Sequence, residues 1–116
     1  MSSPKMKRLE ATVLRAVSEI IRLDVKHPDI DFLTLTAAKL SSDLSYLKIY
    51  YTVFDHSEEN VTKVKIALEK SKAFIRTKLV QMVKIRKSPA LIFEYDDSLL
   101  KGNEIEQGLK KVLDDK

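Results

Sequence analysis

One apolar repeat constrains this chain more than any other feature. Val61, Val64, Leu68, Ile75, Leu79, Met82 and Val83 recur at helical spacing, and the pattern runs over residues 58–83. A helix of roughly 26 residues is about 39 Å long at about 1.5 Å per residue. A domain this small has a radius of gyration of only about 13 Å, so a straight helix of that length would overhang its core. The side-chain pattern raises a second conflict. Lys72 lies four residues after Leu68 and three before Ile75, which puts it on the apolar stripe. A kink at Ser71, Lys72 and Ala73 removes both conflicts and predicts two shorter helices.

The same stretch is strongly basic. Residues 63–87 hold nine bases, Lys63, Lys65, Lys70, Lys72, Arg76, Lys78, Lys84, Arg86 and Lys87, against one acid, Glu69. The net charge of +4 understates this concentration, because residues 28–62 and 94–116 are acidic while residues 1–26 are basic. A charge run is usually a solvated helix face. Nine to one is lopsided enough to favour a polyanionic partner.

With 116 residues, the chain fits one domain with one modest core. Hydrophobic content of 44% and charged content of 33% predict a globular, soluble protein. No apolar run reaches the ~20 residues of a membrane span. Residues 1–10 are charged and lack the apolar centre of a secretory signal. The absence of cysteine excludes disulfides, cysteine-ligated zinc, iron–sulfur clusters and a thiol nucleophile, and suits a cytoplasmic location.

The remaining elements follow from pattern and punctuation. Ser2 or Ser3 caps a first helix with Pro4 in its first turn, and Leu9, Val13, Val17, Ile20 and Ile21 form its apolar face. It runs to about Val25, before His27-Pro28-Asp29. Phe32 to Ala38 alternates as a strand, Ser41 to Ser45 reads as a turn, and Tyr46 to Phe54 alternates clearly. In that second strand, Leu47, Ile49, Tyr51 and Val53 share one face. The two strands predict a hairpin. Asp55-His56-Ser57 with Glu58 and Glu59 marks a helix start. Pro89 to Tyr95 is a third strand, reached through the helices and so parallel to the second. Residues 103–116 form a short C-terminal helix or a frayed tail.

Enzyme chemistry is missing. His27 and His56 sit beside turn residues, as caps or solvated side chains, with no third ligand at metal spacing. Asp96-Asp97 reads as a loop pair and Glu58-Glu59 as helix-start charge. No serine sits in a nucleophile elbow, and Gly102 and Gly108 alone make no phosphate loop. The expectation is a protein with no catalytic residues, no metal and no cofactor. Tyr46, Lys48 and Tyr50 share a sheet face that could stack bases, although packing at the sheet edge is the commoner role.

The order helix, strand, strand, helix, helix, strand is that of an α+β, type II KH domain. A KH domain normally clamps single-stranded nucleic acid with a GxxG loop between its paired helices, and no glycine stands there in this chain. Several segments narrow the resemblance. His27-Pro28-Asp29 resembles an Asp-Pro-Arg element after the first helix. Leu33-Thr34-Leu35-Thr36 resembles a Val-Thr-Val-Ser strand. Ser41-Ser42-Asp43-Leu44-Ser45-Tyr46-Leu47-Lys48-Ile49-Tyr50 resembles Ser-x-Asp-Leu-x-x-Ala-Lys-Val-Tyr. Phe74-Ile75-Arg76, then Arg86-x-x-Pro89-x-Leu91-x-Phe93, then Asp96-x-Ser98 follow in order. Together these resemble the bacterial ribosome-binding factor A family, KH-like ribosome assembly factors, over nearly the whole chain. That family replaces GxxG with a kinked junction, usually Ala-x-Gly, at the position of Ser71-Lys72-Ala73.

The resemblance implies a single KH-like domain over residues 1–116, with a three-stranded sheet and its helices on one face. It implies a monomeric, non-enzymatic factor of the cytoplasm that binds the free small (30S) ribosomal subunit. Such a factor assists late maturation and 16S rRNA precursor processing, including the 5′-terminal region, and supports growth in the cold. Its partners would be rRNA and neighbouring ribosomal proteins. Lys72, Arg76, Lys78, Lys84, Arg86 and Lys87 are the candidate phosphate contacts, helped by Lys5, Lys7, Arg8 and Arg15. Arg76 and Arg86 are equally open to bracing the fold. Asp43 and Asp96 read as turn caps. Two rivals stand beside this reading: a general single-stranded RNA-binding KH module, and a dimerising protein-interaction domain.

Overall fold

Alternation in one strand sets the layering of the molecule. In the strand Tyr46–Val53, Leu47, Ile49, Tyr51 and Val53 are buried, while Tyr46, Lys48, Tyr50 and Thr52 turn to the other face. The computed structural model describes residues 3–25, 30, 33–85 and 87–97. Its elements run α1 (Pro4–Leu23), β1 (Leu33–Leu40), β2 (Tyr46–Val53), α2 (Glu58–Met82) and β3 (Ala90–Tyr95). The sheet order is β1-β2-β3, with β1 antiparallel and β3 parallel to β2. The predicted hairpin and parallel third strand are both present.

A bulge keeps β1 in phase with the core. Leu35 pairs with Tyr51 and Ala37 with Tyr50, so Thr36 is an extra residue. The extra residue shifts the side-chain parity. Leu33 and Leu35 before it, and Ala38 and Leu40 after it, therefore all oppose core residues of β2. Thr36 is anchored from outside the strand pair, since its hydroxyl donates to Asp96 Oδ2 at 2.7 Å. Asp96, just past the end of β3, thus links β3 to the bulge in β1 rather than simply capping a turn, and its N–H also donates to the Tyr51 carbonyl of β2.

Both helices pack on the inner face of the sheet. Val13, Val17 and Ile20 of α1, with Val64, Leu68, Ile75 and Leu79 of α2, join the core built on Leu47, Ile49, Tyr51 and Leu91. Each such aliphatic side chain contributes about 1.5–3 kcal/mol when fully buried. The cap of α1 is Ser3, whose Oγ accepts from the Met6 N–H, with Pro4 next in sequence. Ser57 caps α2 by accepting from the Asn60 N–H, and Asp55 accepts from the Ser57 N–H. His56 does neither. Its Nδ1 lies 2.6 Å from the Tyr95 hydroxyl and ties the start of α2 to the end of β3.

The expected break in α2 is absent. The helix runs from Glu58 to Met82 as one element, straight through Ser71, Lys72 and Ala73. Nothing in that triplet forces the chain out of a helix. It lacks glycine, and the positive φ among the described residues belongs to Leu44. Lys72 escapes the stripe conflict because it is only half-buried and its Nζ reaches Glu69 at 2.8 Å. The predicted stop at His27-Pro28-Asp29 and the C-terminal helix lie outside the described residues.

The β1–β2 turn is held by one carboxylate. Asp43 Oδ1 accepts from the Ser45 N–H and the Ser41 hydroxyl, and Leu44 sits in the left-handed region at φ 62°. The Ser45 N–H, then the Ser45 and Ser41 hydroxyls, stabilise the charged form and lower the Asp43 pKa from 3.8 to about 2. Because the folded-state value is depressed, this contribution is complete above about pH 4 and is lost as pH falls through about 2. Asp43→Asn removes that part of the acid dependence, which denaturant midpoints measured from about pH 5 to about pH 2 will show.

Glu10 is the buried charge-bearing side chain of the described core, at 6% exposure. Its Oε2 accepts from the Leu40 N–H at 2.8 Å, which joins α1 to the end of β1. Glu10→Ala strands that buried donor and is expected to cost about 1–3 kcal/mol. Glu10→Gln keeps an acceptor and is expected to cost less. Urea unfolding of the two variants checks the difference.

Candidate nucleic-acid interface

The outward side of the two helices forms one molecular face, because both pack on the same side of the sheet. On α1, Lys5, Lys7, Arg8 and Arg15 are all exposed, and none forms an ion pair among the described residues. Arg22 joins them. Arg8, Arg15 and Arg22 recur every seven residues, close to two helical turns, so they stand in one row.

On α2 the structure sorts the bases by what they already touch. Lys63 lies 3.4 Å from Glu59 and Lys72 lies 2.8 Å from Glu69. Pairs at this level of exposure are worth about 0–1 kcal/mol, so either lysine can exchange its carboxylate for a phosphate. Arg76 is committed more firmly. Its Nε donates to the Ser88 hydroxyl at 2.9 Å and its Nη2 to the Ser88 carbonyl at 2.6 Å. That fork ties α2 to the residues leading into β3, so Arg76 braces the fold. Lys78 is half-buried, with Nζ 5.8 Å from the centre of the Phe74 ring. Lys65 and Lys70, and Lys84 just beyond the helix, are exposed, and their side chains make no hydrogen bond or ion pair among the described residues.

Lys87 is exposed close enough to Asp43 to help lower its pKa. Arg86 lies outside the described residues. The structure therefore brings Lys5, Lys7, Arg8, Arg15, Lys72 and Lys84 to exposed or half-exposed helical and loop positions, and removes Arg76 to a structural role. Sequence reasoning counted Lys65 and Lys70 in the basic stretch but did not name them, or Arg22, among the candidate phosphate contacts. The signal for Arg22 was its seven-residue spacing from Arg15.

The other sheet face is less suited to an anion. Lys48 Nζ lies 3.1 Å from Glu94 Oε2 and 5.9 Å from the centre of the Tyr50 ring. The hydrogen bond to Glu94 and its charge raise the Lys48 pKa, but the same carboxylate offsets the cation beside the tyrosine. Tyr46 remains half-exposed at the rim. Among the described residues no group of three His, Asp or Glu is placed to hold a metal ion. No helix among them is long and apolar enough to cross a membrane.

A family model for ribosome-binding factor A matches residues 5–109. The chain belongs to the ribosome-binding factor A family. The resemblance read from the sequence is thereby borne out, and with it membership of a non-enzymatic family of ribosome assembly factors. Ribosome-binding factor A of Dictyoglomus thermophilum is 41% identical over 109 residues, 93% of this chain and 90% of that protein. The Streptococcus mutans relative is 36% identical over 112 residues and covers 97% of both chains. The crystal structure of ribosome-binding factor A from Thermus thermophilus superposes with a TM-score of 0.68 at 30% identity. It covers 78% of this chain and 94% of its own. A homology model of the Thermus thermophilus protein, fitted into the cryo-EM map of a 30S complex, superposes with a TM-score of 0.63 at 29% identity. It covers 79% of this chain and 96% of its own. These likenesses confirm the α+β, KH-like architecture and its three-stranded mixed sheet.

The division of labour among the bases is testable. Arg76→Ala is expected to lower stability by about 1 kcal/mol through loss of the Ser88 fork, whereas Lys65→Ala leaves it unchanged. Thermal melts of the two variants will show the contrast.

Proposed function

We propose that this protein binds the free 30S ribosomal subunit with the outer face of its helical layer, and that it contacts rRNA phosphates rather than base edges. The carrying observation is the set of exposed bases on α1, on α2 and just beyond α2, among them Lys5, Lys7, Arg8, Arg15, Lys65, Lys70 and Lys84, that no acid neutralises among the described residues. A relative fitted into a 30S complex supports the same partner. Phosphate contacts release counterions and supply affinity without sequence specificity. Specificity then comes from the shape of an immature subunit that presents its phosphates to two rigid helices at once.

The biological role we assign is that of an assembly factor in the cytoplasm. It acts as a monomer on late 30S maturation and on processing of the 16S rRNA precursor, including its 5′-terminal region, with ribosomal proteins as neighbours. A surface that holds folded rRNA during maturation matters most in the cold, where misfolded RNA escapes slowly. Lys72, Lys78 and Lys87 extend the contact toward the loop before β3, and Arg86 is added to the proposed contacts from its place in the sequence alone. Grip on a single strand through a KH junction is disfavoured, because α2 is unbroken where GxxG would stand. The protein should therefore need the structured particle and bind short oligonucleotides poorly.

Lys65→Glu with Lys84→Glu tests the assignment, since neither side chain has a partner to lose among the described residues. The double variant is expected to melt as wild type does. It should cosediment with free 30S subunits only at reduced salt, and the slope of log affinity against log salt should become shallower by about 1.5 to 2. Cosedimentation equal to wild type across the salt series would remove this surface from the interface.

A further inference from the structure

We propose that Phe74, between Lys70 and Lys78, is a stacking site for one unpaired nucleobase of the rRNA. This rests on the reading of the helical layer as the RNA-facing surface. The three residues follow one another at four-residue steps, so their side chains neighbour one another along one flank of α2. Phe74 is 43% exposed, while the adjacent Ile75 is fully buried. The ring therefore stands outside the core that its neighbour completes.

The chemistry around the ring is that of a base platform. Lys78 Nζ sits 5.8 Å from the ring centre, and the side chain of Lys70, one turn earlier, has no hydrogen bond or ion pair among the described residues. A base laid on the exposed part of the ring would carry its phosphates to those two ammonium groups. The nearest acid on α2, Glu69, projects from the opposite flank, where it meets Lys72. At ~100° per residue, positions 69 and 74 lie well apart around the helix. In the sheet-face trio of Tyr46, Lys48 and Tyr50, by contrast, Glu94 already neutralises the lysine.

A protein partner fits this flank less well. Ile66, Val80 and Met82 are also exposed on α2, but Lys70 separates Ile66 from Phe74, Lys78 separates Phe74 from Met82, and Val80, six residues on from Phe74, lies well around the helix from it. The cores of protein interfaces are depleted in lysine, whereas single-strand nucleic-acid sites alternate aromatic and basic side chains.

The test uses the full chain and free 30S subunits at fixed salt. Phe74→Leu keeps apolar bulk but loses the ring, and it is expected to weaken binding about tenfold without changing the salt slope. Phe74→Trp should retain affinity. The chain has no tryptophan of its own, so the emission of that variant, read against wild type with the same subunits, should be quenched on binding. If Phe74→Leu binds as wild type does while Lys65→Glu with Lys84→Glu weakens binding, stacking is refuted and the phosphate surface stands. If the lysine variant also binds normally, the underlying reading falls with it. Unchanged tryptophan emission at saturation refutes stacking even if the leucine variant folds poorly. A loss seen in Ile66→Ser with Met82→Ser but not in Phe74→Leu would point to a protein partner instead and overturn the proposal.

Discussion

Because β2 and β3 run parallel, the chain must travel back along the sheet between them, and α2 is that return path. Most of the candidate surface follows from this constraint. To cover the sheet, α2 must commit Val64, Ala67, Leu68, Ile75 and Leu79 to the core. Its rotation about its own axis is then fixed, and so is the direction of every lysine it carries. A hydrophobic stripe that serves packing thereby determines which charges reach solvent.

The same constraint separates structural from available charge. Arg76 falls on the flank that meets the approach to β3 and is consumed there by Ser88. Lys63 and Lys72 fall near Glu59 and Glu69 and hold weak pairs. Lys65, Lys70 and Lys84 are left over. A count of bases in the sequence overstates the binding surface, because it cannot show which of them the fold has already used. The row Arg8, Arg15 and Arg22 on α1 enlarges the surface by an equally simple route, since its seven-residue period keeps those side chains on one side of their helix.

Much of the fold was legible because strong patterns decide it. The alternation from Tyr46 to Val53 placed β2 and its faces, and Ser57 with Glu58 and Glu59 placed the start of α2. The misses have physical causes. The bulge at Thr36 shows in sequence only as a change of parity, from Leu33 and Leu35 to Ala38 and Leu40, which strict alternation does not reveal. The break at Ser71-Lys72-Ala73 was inferred by treating Lys72 as a charge on an apolar stripe, but a long aliphatic stem lets the ammonium leave the stripe without leaving the helix. Glu10 was invisible as a core residue, because its partner is the backbone N–H of Leu40, far along the chain. In the candidate site, exposure of Lys5, Lys7, Arg8, Arg15 and Lys84 was readable. The partners that distinguish Arg76 from Lys65 are tertiary contacts.

The proposed docking of the ribosomal subunit on the outer side of the helices would leave the far sheet face free. Lysine reactivity toward a small acylating reagent, mapped with and without free 30S subunits, reads this division directly. Binding should protect Lys65, Lys70 and Lys84 and leave Lys39 and Lys48 as reactive as in the free protein. Protection of Lys39 and Lys48, with Lys65, Lys70 and Lys84 unchanged, would place the subunit on the sheet face and overturn the assignment.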